Sequence, residues 1–166
     1  MNPDRREPLA IAHGPGGNAR PTMYDERFVV PMRRELTDLG FEELRTADAV
    51  DAALPTAPGT SLVVVNSICG CAARNARPAV RAAMERTAAR PEHLYTVFAG
   101  QDPEATARAR DYFTGYPPSS PSMALLHDGK LVWMLERWQI EGRPVEAIAN
   151  DLAGALESHC APAGGA

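Results

Sequence analysis

Cysteine is scarce in this chain of 166 residues, which has three cysteines, four histidines and only 6% aromatic side chains. So few cysteines exclude a disulfide-rich scaffold. Basic residues are not in excess either, since 17 Lys and Arg face 21 Asp and Glu for a net charge of −4. This balance argues against a nucleic-acid-binding or polybasic membrane-binding protein. The longest apolar run, residues 62–65, is strand-sized and far short of the ~20 residues that a membrane-spanning helix needs.

The termini differ in composition from the rest of the chain. Residues 1–22 contain a short apolar patch followed by a Gly- and Pro-rich stretch, which is not the pattern of a secretory signal. We therefore expect a cytoplasmic protein with reduced thiols. Residues 1–22 and 161–166 are predicted to be disordered tails, and residues 23–160 to form one domain with its own core.

Hydrophobic patterning predicts an α/β domain. From residue 61 onward the order is strand, helix, strand, helix, strand, strand, helix. The predicted strands are residues 61–66, 94–99, 123–127 and 130–135, with a hairpin turn at Asp128-Gly129. The predicted helices are residues 72–89, 103–113 and a last one from about 144, with 31–39 and 46–54 as an N-terminal helical extension. This order is that of a thioredoxin-like fold, with a central mixed sheet flanked by helices.

Several residues carry local predictions. We expect Pro31 in the first turn of its helix, a kink at Pro78, and Asp102 as the cap of the helix that follows it. Five larger apolar residues are predicted to be at least partly buried: Phe28, Val29, Met32, Trp133 and Trp138.

The motif Cys69-Gly70-Cys71 lies where the first core strand leads into a helix. Unpaired N–H groups and the helix dipole at such a terminus favour a thiolate, the form that attacks disulfides. Cys69, on the loop side, is expected to be the more exposed and is predicted to be the nucleophile, with Cys71 as the resolving thiol. Gly70 has no Cβ and can adopt unusual dihedral angles. A disulfide closed across one residue is strained and labile, which favours an isomerase-like or thiol-transferring enzyme over a strong dithiol reductant.

Other interpretations of the cysteines stay open. A C-x-C pair can bind Cu(I) or contribute to a zinc site, so a metal-binding or metallochaperone protein is the main alternative. A closed zinc site needs four ligands, and the remaining candidates show no ligand spacing to the pair: His93, His127, His159 and Cys160. We therefore predict no metal site. A redox-inert module with unreactive thiols is a further possibility. Cys160 could be a third redox thiol, an intermolecular cross-link or a residue without a redox role.

A proline-rich loop precedes the hairpin at residues 114–122. Pro121 immediately precedes the hairpin strand and is predicted to follow a cis peptide bond, although an ordinary Pro-rich connection is the alternative. In a thioredoxin fold this proline packs beside the cysteines. The backbone of the preceding residue, here Ser120, then pairs with the substrate chain.

Polar residues near the motif have two interpretations each. Arg74 and Arg77 could stabilise a thiolate or form a solvated helix face. Asn66 and Ser67 could hydrogen-bond near the thiol or simply end the strand.

The combined motifs resemble the bacilliredoxin family over residues 23–160. The matching segments are residues 30–37, 40–44, 62–73, 97–102, 112–115, 118–125 and 159–160. The resemblance implies a thioredoxin-like fold with a C-G-C active site that removes bacillithiol from protein mixed disulfides, or exchanges and isomerises disulfides. It implies Cys69 as the residue that takes up the small thiol, Cys71 as the second cysteine and Pro121 as the proline facing them. The implied partners are S-thiolated client proteins, a low-molecular-weight thiol as co-substrate and a recycling reductase, with no prosthetic group.

Overall fold

The computed structural model describes residues 21–163. Five strands form one sheet: β1 (Glu42–Glu43), β2 (Thr60–Asn66), β3 (His93–Phe98), β4 (Ser122–His127) and β5 (Lys130–Leu135). Five α-helices surround it: α1 (Glu26–Thr37), α2 (Ala47–Ala53), α3 (Arg77–Arg86), α4 (Pro103–Arg110) and α5 (Val145–His159). A π-helical turn, Ala72–Ala76, precedes α3, and a 3₁₀ turn, Arg137–Gln139, follows β5.

The sheet is mixed and has the order β1-β3-β2-β4-β5. β3 runs parallel to β1 and β2, whereas β4 runs antiparallel to β2 and β5. The predicted order of strands and helices from residue 61 onward is therefore confirmed. The hairpin is confirmed too, since Asp128 and Gly129 both have positive φ angles, as a tight hairpin turn of type I′ requires. The two-residue strand β1 was not predicted.

Two hydrophobic layers cover the sheet. β2 is buried along its whole length, so its alternating side chains point into both layers. Leu62 and Val64 pack with residues of α1, α3 and α5, whereas Val63 and Val65 pack with residues of α2 and α4. This three-layer arrangement holds the end of β2, where the motif begins, at the centre of one sheet edge.

The first helix begins earlier than predicted. Asp25 caps α1 by accepting a hydrogen bond from the backbone N–H of Arg27, so helix formation starts at Glu26 and Pro31 lies inside the helix. Val29 is fully buried, as predicted, but Phe28 is 73% exposed. Neighbouring positions on a helix point about 100° apart, so Phe28 points away from the core when Val29 points into it. The prediction for Phe28 was wrong.

Among the local predictions in the second half of the chain, the burial of Trp138 was wrong. Pro78 lies in the first turn of α3, directly after the π-helical turn, so the irregular part of the helix ends just before it. Asp102 occupies the N-cap position of α4, as predicted, but its side chain makes no capping bond because its carboxylate binds Arg33 at 2.7 Å. Trp138 is 72% exposed, whereas Trp133 packs partly buried against the core.

Of the predicted tails, residues 1–20 and 164–166 lie outside the described part of the chain. Residues 161–163 run beside residues 88–90, with the Ala163 N–H donating to the Ala88 carbonyl at 2.8 Å. Across residues 21–163, no helix combines the length and apolar character needed to cross a bilayer.

Candidate active site

Cys69 and Cys71 lie in the turn that joins β2 to the π-helical turn, as the sequence predicted. Both are free thiols and both are partly exposed, which does not rank the two by exposure. The charge state of each thiol affects that of the other. The local electrostatics, rather than exposure, must therefore separate their roles.

The surroundings of Cys69 favour its thiolate. Burial raises the pKa of Cys69, but hydrogen bonds from the Ser67 hydroxyl and from the backbone N–H groups of Ala72 and Cys71, together with the positive charge of Arg137, bring that pKa below its ordinary value. The Ser67 Oγ lies 3.0 Å from the Cys69 sulfur. A chain turning into a helix supplies such unpaired N–H groups, which is the reason for placing a reactive cysteine there.

The surroundings of Cys71 favour its neutral thiol. Burial and the negative charges of Cys69 and Glu141 raise the pKa of Cys71, and Arg137 offsets this only in part. The pKa values of the two thiols are therefore shifted in opposite directions, so that Cys69 loses its proton more readily than Cys71. That is the division expected of a nucleophile and a resolving cysteine.

Arg137 is a site residue that sequence reasoning missed. Its Nη2 lies 3.7 Å from the Cys71 sulfur, and its Nη1 donates to the Ser120 carbonyl at 3.2 Å. The residue belongs to the 3₁₀ turn after β5, 66 positions from Cys71 in the chain. No local pattern marks it, because it reaches the motif only through the folding of the sheet.

Arg77 positions the motif rather than binding a thiolate. Its buried guanidinium donates to the Ser67 carbonyl at 2.8 Å and to the Asn66 Oδ1 at 3.0 Å, and pairs with Glu35 of α1. The Asn66 Oδ1 also accepts from the Ser67 N–H at 2.9 Å. Asn66 and Arg77 thus fix the backbone of Ser67, whose hydroxyl faces the Cys69 sulfur.

The loop before β4 forms one wall of a groove beside the cysteines. The Ser120–Pro121 peptide bond is cis, as predicted. Ser120 and Cys69 line the same groove of about 330 Å³, whereas Pro121 is buried and does not line it. Ser120 is therefore brought to the motif.

The opposite wall comes from the segment before α1. The side chain of Gln101 binds both backbone groups of Tyr24, accepting from its N–H at 3.2 Å and donating to its carbonyl at 3.1 Å. The Met23 N–H donates to the Gly100 carbonyl at 3.1 Å. These bonds hold Met23 and Tyr24 against the groove.

Comparison with known proteins identifies the lineage of this site. The family model described as "Disulphide isomerase" matches residues 24–160. A bacilliredoxin of Salinibacter ruber is 56% identical over 138 residues, covering 82% of this chain and 81% of that protein. The bacilliredoxin of Koribacter versatilis is 54% identical over 144 residues and covers 87% of this chain and 99% of that protein. The chain belongs to the bacilliredoxin family.

Solved structures agree with the fold of this bacilliredoxin-family chain. The thioredoxin of Fasciola hepatica superposes with a TM-score of 0.50 at 20% identity, covering 72% of this chain and 99% of its own. The thioredoxin of Malassezia sympodialis gives a TM-score of 0.50 at 13% identity, covering 73% of this chain and 91% of its own. The thioredoxin-like fold is therefore confirmed. With the family membership, it makes the chain a thiol–disulfide oxidoreductase.

Gly70 has a different role in this bacilliredoxin site from the one predicted. It is not among the glycines with positive φ, so the turn does not need its conformational freedom. A Cβ at this position would lie 2.6 Å from Nη2 of Arg74, whose side chain lies over the glycine. Gly70 thus leaves room for a flexible side chain beside the two thiols.

Cys160 lies at the other end of the molecule. Its side chain contacts Thr60, the first residue of β2, whereas Cys69 follows the last residue of that seven-residue strand. At about 3.3 Å per residue the strand separates the two thiols by about 20 Å. Burial raises the pKa of Cys160. Cys160 therefore cannot resolve an adduct on Cys69 within this bacilliredoxin fold.

A closed zinc site would need further ligands beside the cysteine pair. Within residues 21–163, no three or more His, Cys, Asp or Glu side chains cluster closely enough to hold a metal ion. The cysteine pair therefore lacks the further ligands of a closed zinc site.

Proposed function

We propose that this protein removes bacillithiol, or a similar low-molecular-weight thiol, from protein mixed disulfides through Cys69. One observation carries the proposal: Cys69 lines the groove and accepts a hydrogen bond from the Ser67 hydroxyl at 3.0 Å, and its pKa is lowered whereas that of Cys71 is raised. The bacilliredoxin relatives support the choice of small thiol. The cytoplasm, where thiols are kept reduced, is the compartment we propose.

The first step is thiol–disulfide exchange. The Cys69 thiolate attacks the sulfur of the small thiol in the mixed disulfide, so a bond forms between these two sulfurs and the bond to the client cysteine breaks. The client sulfur leaves as a thiolate and takes up a proton from solvent. The client is reduced, Cys69 is oxidised to the mixed disulfide, and no further reactant is needed.

The second step regenerates the enzyme by one of two routes. A second molecule of the small thiol attacks the adduct, which frees Cys69 and yields the symmetrical disulfide of the small thiol. Alternatively Cys71, once deprotonated, attacks Cys69 and releases the small thiol, leaving a Cys69–Cys71 disulfide that a dithiol reductase must reduce. The second route also permits disulfide isomerisation in clients, because a dithiol can accept and return a disulfide.

Ser120 is the proposed backbone partner of the client chain. Its carbonyl accepts one hydrogen bond, from Arg137, and a carbonyl oxygen has a second lone pair. Since Ser120 and Cys69 line one groove, an extended client segment paired with Ser120 has its cysteine close to the nucleophile.

The experiment that tests this function compares three full-length single variants. Reduced Cys71→Ala, Cys69→Ala and Cys160→Ala proteins are mixed with a bacillithiolated test protein and analysed by intact mass. Cys71→Ala is expected to gain one bacillithiol while the test protein is released in reduced form, and Cys69→Ala is expected to gain none. Cys160→Ala is the matched control, because it also loses one thiol but lies about 20 Å from the motif by the strand length.

Other outcomes have definite meanings. No adduct on Cys71→Ala would refute bacillithiol transfer, and equal adducts on Cys69→Ala and Cys71→Ala would refute Cys69 as the nucleophile. Stoichiometric copper or zinc in protein purified without chelator, lost in both motif variants, would favour the metal-binding alternative.

A further inference from the structure

The groove beside Cys69 is positively charged although the protein is acidic overall. The chain has a net charge of −4, yet the described residues lining the groove include Arg110 and Arg137 and no Asp or Glu. Its volume of about 330 Å³ is in the range of small-molecule sites. A concave site with two cations and no acidic lining residue is suited to an anionic ligand group.

Arg110 is not neutralised within the described part of the chain. It ends α4, and its Nη2 donates to the Ser119 carbonyl at 3.2 Å. Its Nε is buried and has no hydrogen-bond partner among the described residues. Burial lowers the pKa of Arg110, which reflects a cation placed in a poorly solvated position. The charge of Arg110 therefore has no carboxylate partner among the described ion pairs, and the residue lines the groove.

Arg137 lines the same groove as Arg110 and contacts the same loop. Arg110 donates a hydrogen bond to the carbonyl of Ser119, and Arg137 donates one to the carbonyl of Ser120. The two guanidinium groups thus bind consecutive residues of the loop before β4. Glu141, which does not line the groove, accepts from the Arg137 Nε at 3.3 Å. The planar guanidinium fork matches a carboxylate, which it can bind through two parallel hydrogen bonds.

We propose that Arg110, assisted by Arg137, selects small thiols that carry a carboxylate. The inference rests on the proposed function and adds the residue that sets its specificity. In the first exchange step Cys69 bonds to the small thiol's own sulfur, so the rest of that molecule must occupy space next to Cys69. Arg110 lines this space and makes no hydrogen bond to either sulfur of the motif, so it acts on specificity and not on thiolate formation.

The test measures a preference between two substrates. One test protein with a single cysteine is prepared as its mixed disulfide with mercaptosuccinate, which has two carboxylates, or with thioglycerol, which is neutral. Rates of adduct formation on Cys69 are followed by intact mass in the full chain carrying Cys71→Ala. Each rate is divided by the rate at which 2-mercaptoethanol reduces the same mixed disulfide. This normalisation removes differences in the intrinsic reactivity of the substrates.

We expect the parent protein to prefer mercaptosuccinate by about tenfold, the effect of one charge-assisted contact. Arg110→Met should abolish most of that preference, and Arg110→Lys should retain much of it because the charge remains. Arg108→Met is the matched control: it removes the same charge from the same helix, but Arg108 pairs with Asp51 outside the groove. The pH dependence of Cys69 alkylation should be unchanged in Arg110→Met.

Three results would overturn the inference alone, and a fourth would overturn it together with the proposed function. Equal normalised rates for the two substrates would refute carboxylate selection, and a preference that survives Arg110→Met would refute the role of Arg110. In a third arm the thioglycerol substrate carries Asp residues beside its cysteine. If Arg110→Met lowers the rate with this acidic substrate but leaves the preference for mercaptosuccinate unchanged, Arg110 recognises acidic clients and not the small thiol. No adduct from any substrate would overturn the proposed function as well, which distinguishes the two failures.

Discussion

The hydroxyl of Ser67 is expected to be a main determinant of the reactivity of Cys69. Its Oγ lies 3.0 Å from the Cys69 sulfur, and Arg77 and Asn66 hold its backbone in place. A hydrogen bond to a charged group contributes at least about 1.5 kcal/mol in protected surroundings. Because Cys69 is partly exposed, solvent screens the bond, and we expect about 1 kcal/mol, or about a fivefold change in the thiolate-to-thiol ratio.

The assay replaces Ser67 by Ala in a full chain that also carries Cys71→Ala and Cys160→Ala, so that Cys69 is the one titrating thiol. Thiolate absorbance at 240 nm is followed against pH. Below the midpoint, the thiolate-to-thiol ratio is expected to fall about fivefold relative to the parent. Ser158→Ala is the control, because its hydroxyl bonds only within α5. An unchanged titration in Ser67→Ala would refute the role assigned to this hydrogen bond.

Three further predictions follow from the same structure. In the adduct Cys69 is uncharged, but burial and the charge of Glu141 still raise the pKa of Cys71. Acid-quenched mass spectrometry should therefore show adduct formation at a lower pH than resolution through Cys71, which should increase as the pH approaches and passes the ordinary thiol pKa of about 8.5. Parallel pH profiles for the two steps would contradict this. Asp102→Asn removes a carboxylate 2.7 Å from the buried Arg33 and should lower the free energy of unfolding, measured in urea, by about 2 kcal/mol. The loss is smaller than for a fully broken buried pair because Glu26 and Glu43 still pair with Arg33. No change would argue against a structural ion pair. Arg110→Met removes a buried Nε that has no partner among residues 21–163, and it also removes the hydrogen bond to the Ser119 carbonyl. The two effects oppose each other, so the free energy of unfolding should change by less than about 1 kcal/mol, and a marked loss would show that Arg110 stabilises the fold.

Local sequence signals predicted most of the secondary structure because they act over a few residues. Thr46 caps α2 through a hydrogen bond to the Ala49 N–H, and the hairpin turn has the residues that its positive φ angles require. Errors arose where a residue had two competing local roles. Asp102 has the position of a cap, but a buried guanidinium 69 residues away binds its carboxylate more favourably than the backbone does.

The sequence by itself determined the order of strands and helices, the place of Cys69 and Cys71 before a helix, and the family to which the chain belongs. These depend on periodicity and short motifs, which are read along the chain. Only the tertiary structure decided which groups surround the thiols, because Arg110 and Arg137 reach the groove from the ends of different elements. Electrostatic effects depend on distance in space and on burial, so the contrast between the two cysteines, and the charge of the groove beside them, exist only in the folded chain.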